Sequence, residues 1–179
     1  MAANRNKRSV AVDLKTADGA EVLRRLIARA DALVTNIRPA ALERLGFGYD
    51  ACKALNPKII YAAATGFGQD GPWAKRPAFD EIVQASSGLA SSIGSDEEPA
   101  FVPSLVGDKL CGLALAGAVA AALVYRERTG KGQLVEVPML ETVAAFNSIE
   151  MLGGHAFVPP IGPAGYKRVK ERKPVKTRD

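Results

Sequence analysis

The sequence holds one histidine and two cysteines among 179 residues. His155 sits among Gly153, Gly154 and Pro159, in an expected loop, and nothing selects a partner for it. That sets aside Ser-His-Asp and Cys-His nucleophiles. Cys52 and Cys111 lie far apart with no CxxC spacing, so no metal site is expected and a reducing cytoplasm fits. Aromatic residues make up 6% of the chain and do not interleave with basic ones as in single-strand readers, so no nucleic-acid partner is expected. No apolar run reaches the ~20 residues of a membrane span. The longest, Leu110 to Tyr125, is rich in Ala and Gly and reads as a buried core helix, with no membrane partner. Met1 to Arg8 is polar and basic, without the apolar stretch of a signal peptide.

What is present suits one soluble domain with a real core, since 47% of the residues are hydrophobic. The formal charge is +5, and the excess is concentrated: Lys167 to Asp179 carries seven basic and two acidic residues. Such a stretch reads as a solvated strap.

Ser9 to Asp13 ("SVAVD") reads as a strand. Asp18 to Ala30 reads as an amphipathic helix with Val22, Leu23, Leu26 and Ile27 on one face. Ala32 to Thr35 is a short buried strand, and Ala40 to Leu45 a helix closed by Gly46. Tyr49 to Leu55 is a further helix, stopped by Asn56-Pro57, and Ile59 to Ala64 a third strand. This alternation predicts an α/β fold with a Rossmann-like parallel sheet and right-handed crossover helices. Residues 65–78 are loop, Phe79 to Ala90 helical, and Ser91 to Pro103 turn-rich. A long helix is expected after Asp108, running to about Arg126. "RTGKG" is a turn, Gln133 to Val137 a strand, and Pro138 opens a last helix to about Leu152.

"GFGQDG" (66–71) matches GxGxxG and follows a strand. A dinucleotide site needs a helix to open at once against the pyrophosphate, whereas Pro72 and Pro77 interrupt the residues that follow. The match reads as a glycine loop beside a pocket. "RTGKGQ" lacks the full P-loop spacing. Asp108, in "SLVGDKLCG", reads as the N-cap of the long helix. It has a sharper reading as a carboxylate nucleophile, strong when desolvated at a helix start, with Gly107 allowing close approach of a bulky substrate.

Several stretches together resemble the class III CoA-transferases, the family of formyl-CoA transferase, carnitine CoA-transferase and the 2-methylacyl-CoA racemases. They are "NRNKRSVAVDLK" (4–15), "ADALVTNIRPAALERLGFGYD" (30–50), "LNPKIIYAAATGFGQDGPWAKRPAFDEIVQASSGL" (55–89), "VGDKLCGLALAGAVAAALVYRERTGKGQLVEVPMLE" (106–141) and "RKPVKTRD" (172–179). They follow the family's order over nearly the whole chain.

The resemblance implies that Asp108 attacks an acyl-CoA thioester and carries the acyl group as a mixed anhydride. Exchange with CoA thiolate then gives an aspartyl-CoA thioester, which activates an acceptor carboxylic acid. CoA is thus a substrate, and no permanently bound cofactor or metal is implied. Racemases of the family add a histidine where this chain has Phe79, in "AFDEIVQ", and phenylalanine cannot shuttle a proton. That favours transferase over racemase or epimerase. "TNIRP" resembles the family's "ENFRP", which implies that Asn36 and Ile37 lie along CoA. Arg44 matches a basic residue near the CoA phosphates, and Lys75 and Arg76 stand in a loop lining the CoA channel. Guanidinium and ammonium groups suit those phosphates.

Family members are longer and form interlocked homodimers. The resemblance therefore implies a large-domain fragment at 1–152 and a basic linker at 153–179 leading toward an absent second domain. A non-catalytic remnant that only binds CoA or pairs with another chain is the alternative outside enzymology.

Overall fold

Ile60–Thr65 is the most apolar strand segment of the chain, and it becomes the centre of the sheet. The computed structural model describes residues 4–95 and 97–165. The basic stretch Lys167 to Asp179, with most of the expected 153–179 linker and the "RKPVKTRD" match, lies outside the described residues. Three strands, β1 (Ala32–Thr35), β2 (Ile60–Thr65) and β3 (Gln133–Pro138), form one sheet in the order β1-β2-β3. Both pairings are parallel, with Ala32 opposite Ile60 and Ile60 opposite Gln133. The expected α/β arrangement, a parallel sheet with helices between its strands, is the one found. β2 is buried along almost its whole length because it is paired on both edges and covered on both faces.

Side chains alternate across β2 and so divide the core in two. Tyr61 and Ala63 face α1 (Ala17–Ile27), α2 (Pro39–Arg44) and α3 (Tyr49–Leu55), packing with Ile27, Leu42, Phe47 and Cys52. Ala62 and Ala64 face α6 (Val106–Thr129), packing with Cys111 and Leu115 and with Val135 and Val137 of β3. A third cluster, Val83, Leu89 and Val143, joins α4 (Asp80–Ser86), α5 (Leu89–Ile93) and α7 (Met139–Phe146) at one end of the sheet. A short helix, α8 (Ser148–Leu152), and a 3-10 turn at Gly153–Ala156 follow.

Several expectations are corrected. Residues 9–13 form no strand: they are exposed and enter no ladder among the described residues, and a strand exists only where its backbone groups find a partner. The inward stripe of α1 is Ala20, Leu23 and Ile27, while Val22 and Leu26 are exposed. The expected helix from Phe79 to Ala90 breaks at Gly88, which adopts φ +78° before α5. The last helix divides at Asn147, and Pro138 ends β3 rather than occupying the first helical position.

The long helix α6 is not buried all round. Gly107, Cys111, Leu115 and Ala122 form its buried stripe, while Leu113, Val124 and Tyr125 are exposed. By length and composition alone its 24 residues suffice to cross a membrane. The buried stripe instead packs it on the sheet, as the helix that leads into β3. Gly130, at φ 72°, ends it in the left-handed conformation that the "RTGKG" turn requires.

Candidate functional site

Three parallel strands end on the same side, so the chain leaves Thr35, Thr65 and Pro138 at one edge of the sheet. Open parallel sheets bind ligands in the crevice outside these carboxyl ends. A cleft of about 650 Å³ opens there. Asn36, Arg38 and Pro39 reach it from the end of β1, Gly66 and Gln69 from the end of β2, and Met139 from the end of β3. Phe79 and Arg76 line it from the preceding loop, and Asp108, Cys111 and Gly112 from the first turns of α6. The "GFGQDG" segment is a loop at its edge, and no helix opens until Asp80.

Asp108 is not the N-cap of α6. The helix starts at Val106, with Leu105 in the cap position and no side-chain cap, so Asp108 is the third helical residue. The orphan amide at this helix end is met from elsewhere. Asp108 N–H donates to Asp80 Oδ2 at 3.0 Å. Asp80 is only 4% exposed, and its other oxygen accepts from Gln84 Nε2 at 2.6 Å, one helical turn along α4. Gln84 is itself anchored, because its Oε1 accepts from Val102 N–H at 2.8 Å. A buried carboxylate from a distant helix thus does the capping, and the Asp108 carboxylate is left to the cleft.

Both carboxylates sit at the positive end of one long helix, which favours anions there. They also repel each other. Desolvation, then the charge of Asp80, then that of Glu81, push the Asp108 carboxyl above its ordinary value. Deeper on the same face, Cys111 donates its thiol to Val137 C=O at 3.4 Å. Burial first, and the Asp108 charge second, raise that thiol, so it stays protonated at neutral pH. At the mouth, the Arg76 guanidinium lies over the Trp73 ring at 5.3 Å, and Trp73 stands edge-on to the buried Phe67. Such a cleft can place an electrophilic carbonyl against Asp108 and an anionic tail against Arg38 and Arg76.

Of the residues singled out in the sequence, Asn36, Arg76 and Asp108 line this cleft together. Ile37, Arg44 and Lys75 do not line it; all three are exposed, and Ile37 N–H is turned to Thr35 Oγ1 at 3.1 Å. Sequence reasoning missed Arg38, which lines the cleft beside Pro39, although it stands inside "TNIRP". It also missed Asp80 and Gln84 as the support of Asp108, although their four-residue spacing on a helix is a readable signal.

A family model described as CoA-transferase family III matches residues 1–175. A succinate–glutarate CoA-transferase of Agrobacterium fabrum is 39% identical over 145 residues, covering 80% of this chain and 36% of the relative. A formyl-CoA:oxalate CoA-transferase of Streptomyces avermitilis is 40% identical over 141 residues, covering 78% of this chain and 34% of the relative. The crystal structure of a CAIB/BAIF family protein from Brucella suis superposes with a TM-score of 0.79 at 36% identity, over 82% of this chain and 39% of that one. The chain therefore spans about a third of the length of these curated relatives.

Proposed function

The chain belongs to CoA-transferase family III, and on that premise we propose that it carries the nucleophile of a transferase that moves CoA between an acyl-CoA and a carboxylic acid. Asp108 attacks the thioester carbonyl, the carbon–sulfur bond breaks, and CoA leaves as thiolate. The thiolate then attacks the Asp108 carbonyl of the mixed anhydride and releases the first acid, leaving an aspartyl-CoA thioester. The acceptor carboxylate attacks that carbonyl and expels the thiolate once more. Attack of the thiolate on the acceptor's carbonyl yields the new acyl-CoA and frees Asp108. Splitting one exchange between two acids into four acyl transfers is what a covalent carboxylate can supply.

The observation that carries this reading is the freed carboxylate. Asp80 takes the helix-end amide, so Asp108 is spared from capping and borders the cleft beside Cys111 and Gly112. Asn36, Arg38 and Arg76 suit the phosphates of CoA, and the names of the relatives point to small mono- and dicarboxylic acids as partners. Phe79, an exposed residue lining the cleft where a racemase would need a base, supports transfer over racemisation. A cytoplasmic homodimer belongs to the same proposal, and the exposed Leu113, Val124 and Tyr125 of α6 are surface for it to cover.

The test is exchange between acetyl-CoA and a panel of oxalate, succinate and glutarate, with hydroxylamine added to trap the acylated carboxylate. Exchange that depends on Asp108 and leaves a hydroxamate on it is expected. Undiminished exchange by Asp108→Ala overturns the mechanism, and binding of CoA without any exchange favours a non-catalytic remnant.

A further inference from the structure

No helix opens behind the glycines of "GFGQDG" until Asp80, and the structure gives them another use. Two carboxylates from β3 and α7 hold the backbone of this loop. Gly68 N–H donates to Glu141 Oε1 at 2.8 Å, and Gln69 N–H donates to Glu136 Oε1 at 2.9 Å. The same Glu136 oxygen accepts from Thr65 Oγ1 at 3.2 Å, where β2 ends. Gly66 C=O adds a third tie by accepting from Leu140 N–H at 3.1 Å. The tight threading requires glycine at position 66, where a Cβ would stand 2.2 Å from Ala78 Cβ; a Cβ on Gly68 would stand 2.6 Å from Glu141 Oε1 and push that carboxylate aside. Gly66 and Gln69 line the cleft, whereas Glu136 and Glu141 do not.

We infer that Glu136 and Glu141 are positioning residues, a clasp that fixes residues 66–69 as one wall of the site that takes CoA. The inference rests on the acyl-CoA reading of the cleft. A wall held before binding costs the ligand less ordering, so releasing it weakens binding without touching the nucleophile. Both carboxylates are exposed, which places their role in loop geometry rather than in the core.

The experiment measures two things on the full chain: hydrogen exchange at the Gly68 and Gln69 amides, and calorimetric affinity for CoA. Glu141→Ala is expected to speed exchange at Gly68 and to weaken CoA binding by about tenfold. Glu141→Gln keeps an acceptor oxygen in place and restores both. Gly68→Ala, whose methyl displaces the carboxylate, reproduces the loss and adds nothing to Glu141→Ala. The midpoint of urea denaturation shows that each variant is folded; if Glu141→Ala does not fold, Glu136→Ala carries the same readouts at Gln69. Unchanged exchange and affinity in the alanine variants overturns the clasp, as does a Glu141→Gln protein that behaves like Glu141→Ala. Wild-type protein that bound no CoA would count against the acyl-CoA reading of the cleft. Exchange alone would then decide the clasp, and unprotected Gly68 and Gln69 amides in wild type would overturn it.

Discussion

Replacing Asp80 tests the support it gives to Asp108. Its carboxylate accepts from two donors, Gln84 Nε2 at 2.6 Å and Asp108 N–H at 3.0 Å, and it is almost wholly buried. Asp80→Ala leaves Gln84 Nε2 with only its longer contacts to Val102 C=O and Ser104 C=O, both 3.4 Å. It leaves Asp108 N–H without an acceptor. An unsatisfied buried donor costs ~1–3 kcal/mol. Loss of a carboxylate at a helix N-terminus adds ~0.3–1 kcal/mol. The expected loss is therefore about 3 kcal/mol. Asp80→Asn keeps one oxygen, so it can satisfy one donor while its own NH2 faces the other. Gln84 does not flip freely to relieve this, since its Oε1 accepts from Val102 N–H. About 1–2 kcal/mol is expected for the asparagine. Urea denaturation followed by circular dichroism reads both, with an unchanged m-value showing that the folded state is intact. Asp80→Asn also removes a like charge, so the Asp108 titration moves to lower pH in side-chain carboxyl NMR. An asparagine variant within about 0.5 kcal/mol of wild type, with Asp108 titrating as before, would refute the reasoning.

The raised Asp108 carboxyl has a consequence for stability. A group raised on folding supports the fold below its unfolded pKa and loses that support as pH rises through its folded value. Asp108→Asn is therefore expected to be more stable than wild type at neutral pH, by at most about 1 kcal/mol for so open a group, with the gap closing toward pH 3. Thermal melts at several pH values check this, and a gap that widened on acidification would contradict it. Gly66→Ala brings a methyl against Ala78 Cβ, and overpacking of this kind is expected to cost ~1–3 kcal/mol in denaturation. Arg38→Ala and Arg76→Ala should each weaken CoA binding, less so at high salt, whereas Arg44→Ala, outside the cleft, should weaken it less; titration calorimetry at two ionic strengths separates them. Cys52 and Cys111 are buried, with thiols raised first of all by that burial, so both should resist Ellman's reagent until denaturant is added.

Much of the fold was readable because local signals agreed. Ala32–Thr35 and Tyr49–Leu55 form where the apolar runs and the Asn56-Pro57 stop predicted. Gly46 and Gly130 take positive φ where helices end. Failures came where a distant residue decides. "SVAVD" has strand composition, but strand formation depends on a pairing edge that composition does not contain. Val22 and Leu26 fit the helical period of α1, yet the period alone does not fix which flank of the stripe meets the sheet. At the site, Asp108 has the identity and setting of an N-cap. What overrides that propensity is Asp80, 28 residues away, and only tertiary structure brings the two together.

The most direct test of the central claim follows oxygen. If Asp108 forms an anhydride with the acceptor acid, attack of CoA thiolate on the acceptor's carbonyl leaves one acceptor oxygen in the Asp108 carboxylate. Protein incubated with an acyl-CoA and an acceptor acid labelled with heavy oxygen is digested, and the peptide carrying Asp108 is weighed. Heavy oxygen is expected on Asp108 and on no other carboxylate, dependent on both substrates. Transfer that proceeds while Asp108 stays unlabelled would contradict it.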